Sequence, residues 1–141
     1  MTRTWYLVRH GETEWNAAAR MQGRLDSGLT PLGREHAKCS GQLLARLGVD
    51  AIFASPLGRV RETLAIAAQD LPLPVVFDDR LEEWSGGGWS GEFHADLPVK
   101  WPVEWAAWVT DRYHCRSPGG ENFVEPRRSR AFVPGRCRHG R

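Results

Sequence analysis

The first half of the chain alternates short apolar runs with helix-start signals, and this alternation constrains the fold more than any other feature. Three runs have the length and composition of buried strands: Thr4–Val8, Asp50–Ala54 and Pro74–Phe77. Helical patterns separate them. Strands that alternate with helices favour an α/β fold, because parallel strands need crossover connections between them. We therefore expect a three-layer sandwich with a mostly parallel sheet.

Two Ser/Thr-Pro pairs mark the predicted helix starts. Thr30 has the character of an N-cap with proline at the first helical position, and Gly48 is a suitable C-terminal stop. Ser55 and its following proline repeat the pattern, which predicts a second helix through about Gln69. Both helices lie between predicted strands, as a parallel sheet requires.

Tryptophan and glycine dominate the next part of the chain. Asp79–Glu92 is predicted to be a Gly- and Trp-rich loop, and residues 95–112 are predicted to form a helix. Trp101, Trp105 and Trp108 would share one face of that helix. We expect this stripe to pack onto the body of the protein, which is compatible with covering a pocket.

Length and composition place the chain among ordinary globular proteins. It has 141 residues, of which 41% are hydrophobic and 26% charged, and this suits one domain. It contains no apolar run of about 18 residues and no signal-peptide pattern at its N-terminus, so we expect a cytoplasmic protein that does not enter a membrane. Three cysteines without metal-ligand spacing argue against a disulfide framework or a zinc site.

The net charge of +2 is unevenly distributed. Residues 126–141 contain six arginines and no acidic residue, which leaves 13 basic and 17 acidic residues in residues 1–125, a net charge of −4. We therefore predict a domain over 1–125 and a basic, disordered tail over 126–141. A basic tail can contact nucleic acid, but a solvated end is the simpler interpretation, and we expect no nucleic-acid partner.

Four chemically suited residues follow the predicted strands. Arg9 and His10 come directly after the first strand, Arg59 lies early in the helix after the second, and Glu83 follows the third. In open α/β sheets, ligands bind outside the carboxyl ends of the strands, so these side chains should meet at one rim. Two arginines, an imidazole and a carboxylate at one rim suggest phosphoryl transfer.

Each residue type has a role in such a reaction. Arginine presents a planar fork of donors that matches a phosphate dianion. A neutral imidazole is a competent nucleophile, and nearby arginines should disfavour its protonated form. A carboxylic acid can protonate the leaving alkoxide and then, once ionised, activate a water molecule. Taken singly, each of these residues is more often structural, so the prediction depends on the ordered set.

That ordered set resembles the histidine phosphatase superfamily, which contains cofactor-independent phosphatases and phosphoglycerate mutases. Five blocks resemble those of the family in the same order: LVRHGETEWN (7–16), RMQGRLDSGLTPLGREHA (20–37), SPLGRVRET (55–63), LEEWSGGGWSGE (81–92) and PGGEN (118–122). The spacing of the fourth block selects Glu83 rather than Glu82 as the acid/base residue. The resemblance covers about residues 3–125 and implies a phosphoglycerate mutase-like fold.

The resemblance also implies roles for individual residues. His10 would be the nucleophile that becomes phosphohistidine, Glu83 the proton donor, and Arg9 and Arg59 the ligands of the phosphoryl group. Asn16 and Gln22 would supply polar contacts near the substrate. The implied partner is a small phosphorylated substrate, and the implied reaction uses no metal and no organic cofactor.

The resemblance stops near Pro126. Members of the family carry a second essential histidine after a late strand, in a block like VVSHGG, and no such block occurs here. His139 follows no strand-like run, and His114 stands before the last matching loop rather than after it. We therefore expect the sheet to lack its last strand. An Arg-, Pro- and Gly-rich ending suggests the hypothesis of a frame shift beyond codon 125.

Three functions remain open from the sequence. The leading one is a phosphatase that acts on a small phosphate monoester through phosphohistidine, with activity weakened by the missing histidine. The second is mutase-type phosphoryl transfer, although the short chain leaves little room for the insertions of mutases. The third is an inactive phosphate-binding remnant. The sequence identifies neither the substrate nor the oligomeric state, and a homo-oligomer is one of the open alternatives.

Overall fold

The computed structural model describes residues 4–124. Along the chain these form α1 (Glu14–Ala17), α2 (Pro31–Leu47), β1 (Ile52–Ala54), α3 (Gly58–Ala67), β2 (Val75–Phe77), α4 (Leu97–Lys100) and α5 (Pro102–Thr110), with 3-10 turns at Asp79–Leu81 and Gly87–Trp89. The predicted basic tail, 126–141, lies outside this part of the chain.

β1 and β2 form a parallel pair with α3 as the crossover between them. Ile52 lies opposite Val75, and Ala54 lies opposite Phe77. The predicted strand–helix–strand unit is thus confirmed for this part of the chain. Within residues 4–124 the sheet has two strands, so the three-layer sandwich is only partly formed there.

The prediction of a first strand over Thr4–Val8 is wrong. This segment has no strand structure, and Leu7 is 97% exposed. The Trp5 ring lies near β1, with its centroid 6.3 Å from that of Phe53, but no backbone ladder joins the segment to β1 or β2. An apolar run indicates a tendency to be buried, whereas a strand also requires a neighbour that pairs with its backbone.

The α2 helix begins and ends where the sequence predicts. The Thr30 side chain accepts a hydrogen bond from the Gly33 amide at 3.0 Å, and Gly48 ends the helix with φ at 66°. The helix packs closely on α3 at Gly41, where a Cβ atom would lie 2.5 Å from the Ala67 carbonyl oxygen. This close approach fixes α2 against the helix that carries Arg59.

The α3 helix begins two residues later than Ser55-Pro56 predicts, and it ends at Ala67 rather than about Gln69. Its N-cap residue makes no side-chain cap hydrogen bond. The Asp26 carboxylate, 32 residues upstream, accepts hydrogen bonds from the amides of Gly58 at 2.7 Å and Arg59 at 3.1 Å instead. A cap supplied from a distant loop leaves no local pattern in the sequence, which explains the error.

The tryptophan stripe packs onto the body as predicted, although two helices replace the single predicted one. The ring centroids of Trp105 and Trp108 lie 5.7 and 5.6 Å from that of Trp89. Trp89 and Leu97 are fully buried and form the centre of this cluster. The chain breaks between α4 and α5 at Trp101, directly before a proline.

Truncation of Leu97 tests the importance of this cluster. We expect Leu97→Ala to lower the free energy of unfolding by about 2–5 kcal/mol, because the cavity cannot fully collapse among rigid indole rings. Val99→Ala is the matched control, since Val99 lies on the same short helix but is 80% exposed. Urea denaturation followed by tryptophan fluorescence measures both values. Equal losses in the two variants would contradict the assignment of Leu97 to the core.

Candidate active site

His10 lies in the loop between the N-terminal segment and α1, and it is partly buried. Its Nδ1 atom lies 2.7 Å from the carbonyl oxygen of Gly11. A carbonyl oxygen can only accept, so Nδ1 must carry the proton. The Nε2 atom then lies 3.2 Å from Arg59 Nε, which donates to it. The imidazole is therefore in the neutral form with its lone pair on Nε2.

The backbone around His10 is held by two helices. The Gly11 amide donates to the Thr63 hydroxyl of α3 at 3.0 Å. On the other side Gly11 approaches α2 so closely that a Cβ atom would lie 2.2 Å from the Gly33 carbonyl oxygen. Any larger residue at position 11 would push the loop away from α2. The His10 ring is thus positioned by packing that only glycine permits.

Arg59 is the most enclosed charged residue of the site, with only 3% of its surface exposed. Besides His10, its guanidinium donates to the carbonyl oxygens of Gly23 at 2.8 Å and Leu25 at 2.8 Å, and to the Asp26 carboxylate at 3.0 Å. Four of its five N–H donors therefore hold the loop over 23–26 and the nucleophile candidate. Arg59 brings a buried positive charge next to His10 and leaves one donor for a ligand.

Asp26 is a site residue that sequence reasoning missed. Its carboxylate caps α3 and pairs with the Arg59 guanidinium. Asp26 therefore holds both the backbone amide and the charged end of Arg59. Nothing local indicated this role, because the partner lies 33 residues further along the chain.

Arg9 and Glu83 line the same cleft as His10. Arg9 is exposed, so its guanidinium is open to an incoming anion. The Glu83 carboxylate accepts a hydrogen bond from the Trp84 amide at 3.1 Å. The structure thus brings together the four residues predicted for one rim, in spite of the missing first strand. Their catalytic roles stay predictions.

Asn16 and Gln22 also line the cleft, and both side chains already have protein partners. Asn16 Oδ1 accepts from the Thr13 amide in a capping box at the start of α1. Asn16 Nδ2 lies 3.5 Å from Gln22 Oε1, and Gln22 Nε2 donates to the Ser27 hydroxyl at 2.8 Å. The hydrogen bonds of Asn16 and Gln22 hold the wall of the cleft in place.

The cleft has a volume of about 140 Å³. This is below the ~300–1,000 Å³ of pockets for drug-sized ligands, so it suits a small group. Two lining residues, Arg20 and His94, were not predicted as site residues. The Arg20 guanidinium lies over the rings of Trp15 and Phe93, at 4.5 and 5.0 Å from their centroids. An isolated antiparallel bridge joins Arg20 to Phe93 and brings the two segments to the rim.

The electrostatic setting of His10 favours its neutral form. Burial is the largest effect and lowers its pKa below the ordinary value of 6.5, and the charges of Arg59 and Arg9 lower it further. The hydrogen bond to Gly11 and the nearby Glu83 carboxylate oppose this shift. A neutral imidazole near pH 7 is the form that a nucleophile needs.

Of the other two histidines considered from the sequence, only His114 lies in the described range, and it does not line this cleft. His114 pairs with Asp111 on the surface, with Nδ1 2.8 Å from Oδ2. His139 lies outside the described residues. Within 4–124, no three His, Cys, Asp or Glu side chains are grouped so that they would hold a metal ion. No helix in that range is long and apolar enough to cross a membrane.

Together the fold and the cleft define an α/β protein with a histidine, two arginines and a glutamate around one small pocket. The chain matches the model of the histidine phosphatase superfamily (branch 1) over residues 5–133 and belongs to that superfamily. The resemblance noted in the sequence is thereby confirmed at the level of the family.

Three relatives illustrate the range of this family. The chain is 38% identical to phosphoserine phosphatase 1 of Hydrogenobacter thermophilus, covering 84% of this chain and 56% of that protein. It is 46% identical to a probable phosphoglycerate mutase GpmB of Shigella dysenteriae serotype 1, and the match covers 85% of this chain and 56% of that protein. Among solved structures, a mycobacterial glucosyl-3-phosphoglycerate phosphatase with inorganic phosphate matches with a TM-score of 0.74 and 32% identity. That match covers 86% of this chain and 56% of the other chain. The chain thus spans little more than half the length of these relatives.

The depressed pKa of His10 predicts how stability depends on pH. The unfolded state takes up a proton at His10 more readily than the folded state, so the stability that His10 contributes is fully present above pH 6.5 and is lost as the pH falls below it. We expect the free energy of unfolding of wild type to fall relative to that of His10→Gln as the pH is lowered from 7 to 5. Denaturant titrations at several pH values measure it, and a flat or opposite trend would contradict the assignment.

Substitution of Arg59 by lysine tests its structural role. Lysine keeps the charge but cannot reach three separated carbonyl and carboxylate oxygens together with His10. We expect Arg59→Lys to cost about 1–3 kcal/mol of stability, because buried acceptors lose their donor. Arg46→Lys, at the exposed end of α2, is the control and should change stability by less than about 0.5 kcal/mol. If the two variants were equally stable, the bonds of Arg59 would contribute nothing measurable.

Proposed function

We propose that this chain is a phosphatase that hydrolyses a small phosphate monoester through a phosphohistidine intermediate at His10. The observation that carries the proposal is the state of His10, whose Nδ1 proton is bound by the Gly11 carbonyl and whose Nε2 lone pair faces the cleft cations. Such an imidazole can attack phosphorus without first losing a proton.

The first step forms the bond between His10 Nε2 and phosphorus and breaks the bond from phosphorus to the ester oxygen. The exposed Arg9 guanidinium and the remaining donor of Arg59 neutralise the charge on the transferred group. The departing alkoxide takes its proton from the Glu83 carboxyl group, which lines the same cleft. No metal or organic cofactor takes part in this scheme.

The second step releases inorganic phosphate. The Glu83 carboxylate, ionised after the first step, takes a proton from a water molecule while its oxygen bonds to phosphorus. The bond between phosphorus and Nε2 then breaks, and neutral His10 is restored. In this scheme Asn16 and Gln22 contact the substrate from the ordered wall of the cleft.

The names of the relatives support the phosphatase class without identifying the ester. Two of the three reported relatives are named as phosphatases of phosphorylated small molecules, and one bears a bound inorganic phosphate. The third is named as a probable phosphoglycerate mutase, which keeps mutase-type transfer as the second candidate. A mutase would depend on an added bisphosphate, whereas the proposed phosphatase would not.

A phosphate-binding chain without turnover is the remaining alternative. It is favoured by the lack of the VVSHGG-like block that carries the family's second histidine, although another histidine, His94, lines the cleft. Loss of one preorganised donor costs about 10²–10³ in rate, so weak turnover is compatible with the phosphatase proposal.

Domain limits of 1–125, followed by a basic tail over 126–141, complete the proposal.

The test is whether the protein forms an acid-labile phosphoenzyme at His10. We expect the full chain to be labelled by a ³²P monoester and His10→Ala to give neither label nor turnover. His114→Ala is the matched control, because His114 is exposed and pairs with Asp111 away from the cleft. Full hydrolysis by His10→Ala would refute the mechanism. Binding of vanadate by wild type without label or turnover would favour the inactive alternative.

A further inference from the structure

The Glu83 carboxylate has few contacts of its own. It is exposed, and the bond from the Trp84 amide is its only hydrogen bond among those found within residues 4–124. The direction of a side chain with so few contacts is set mainly by the backbone that carries it. The position of the segment over 82–85 therefore decides where the carboxyl group lies relative to His10.

Arg24 fastens that segment from one side. Its Nε donates to the Glu83 carbonyl oxygen at 3.2 Å and lies 3.4 Å from Glu82 Oε2. The preceding residue, Gly23, presents its carbonyl oxygen to Arg59 Nη2 at 2.8 Å. Two consecutive residues thus connect the backbone of Glu83 to the cation that touches His10.

Glu121 fastens the same segment from the other side. Its Oε1 accepts from Arg24 Nη2 at 2.8 Å, and its Oε2 accepts from the Ser85 amide at 2.9 Å. The Glu121 amide also donates to the Ser85 carbonyl oxygen at 2.9 Å. Gly120 allows this approach, because a Cβ atom there would lie 2.6 Å from that same oxygen.

The two side chains are partly shielded from solvent, with 35% of Arg24 and 27% of Glu121 exposed. Neither of them lines the cleft. A role in contacting the substrate is therefore not indicated for either. An ion pair of this exposure adds little to stability, so the contacts that it makes are more informative than its energy. Through both Glu121 carboxylate oxygens and two Arg24 guanidinium nitrogens, it joins the three loops that contain Arg24, Glu83 and Glu121.

We propose that Arg24 and Glu121 form a positioning pair that holds the Glu83 carboxyl group where it can protonate the leaving oxygen. This inference rests on the proposed function, since it assumes that Glu83 is the acid of that reaction. A glutamine at position 121 can accept only through its single oxygen, and its amide group faces a donor instead. Glu121→Gln should therefore loosen the segment without removing any group from the cleft.

The test compares two esters that differ in their need for an acid. The nitrophenolate released from p-nitrophenyl phosphate leaves without a proton, whereas the alkoxide released from glycerol phosphate requires one. The quantity kcat/KM is used, because it reports the steps through phosphoenzyme formation. We expect Glu121→Gln to lower kcat/KM for glycerol phosphate about tenfold or more and for p-nitrophenyl phosphate less than about twofold. Arg24→Gln should give the same split.

Glu104→Gln is the matched control, since Glu104 is exposed on α5 and makes no hydrogen bond or ion pair to the three bridged loops among the described residues. It should leave both values unchanged. An equal fall for both esters in Glu121→Gln would show a merely structural role, and no change would show no role. Either result overturns the inference.

A second measurement keeps the inference testable if wild type hydrolyses neither ester, a result that would count against the proposed function alone. The Trp84 amide lies in the segment that the pair holds, and it donates to the Glu83 carboxylate. We expect hydrogen exchange of this amide, measured by NMR, to be about tenfold faster in Glu121→Gln than in wild type and Glu104→Gln. An unchanged exchange rate in Glu121→Gln would overturn the positioning role by itself.

Discussion

The buried guanidinium of Arg59 is the interaction on which the site depends. It touches His10 with one nitrogen and holds the carbonyl oxygens of Gly23 and Leu25 with the other two. Asp26 accepts from the same guanidinium and caps the helix that carries it. One cation therefore connects the nucleophile candidate, the loop behind it and the start of α3. A buried charge is tolerable only when it is paired and hydrogen-bonded in this way.

The same connection extends to the acid candidate. Gly23 is followed by Arg24, which binds the backbone of Glu83 and the carboxylate of Glu121. Four segments that are far apart in sequence are thus linked through two adjacent residues. This linkage explains how an exposed glutamate and a partly buried histidine share one cleft, although the sheet beneath them has only two strands within residues 4–124.

Features with local causes could be predicted from the sequence. Thr30 and Gly48 bound α2 through short-range hydrogen bonds and a left-handed backbone, which depend on residues within one turn. Arg59 and Glu83 could be placed together because they follow β1 and β2, whose ends share an edge, whereas Arg9 and His10 reach the same cleft without the predicted first strand. The ordered family blocks then selected Glu83. What could not be predicted has non-local causes, such as the cap of α3 by Asp26 and the absence of strand structure over Thr4–Val8. The contribution of His94 to the rim likewise depends on a bridge between distant segments.

The proposed chemistry depends on the protonation state of His10, which a long-range ¹H–¹⁵N correlation spectrum of the histidine rings at pH 7 reports. We expect His10 to give the pattern of a neutral ring with the proton on Nδ1 and a bare Nε2, and we expect this pattern to be lost in Gly11→Ala because that change displaces the loop. A doubly protonated ring, or a neutral ring with its proton on Nε2, would contradict it.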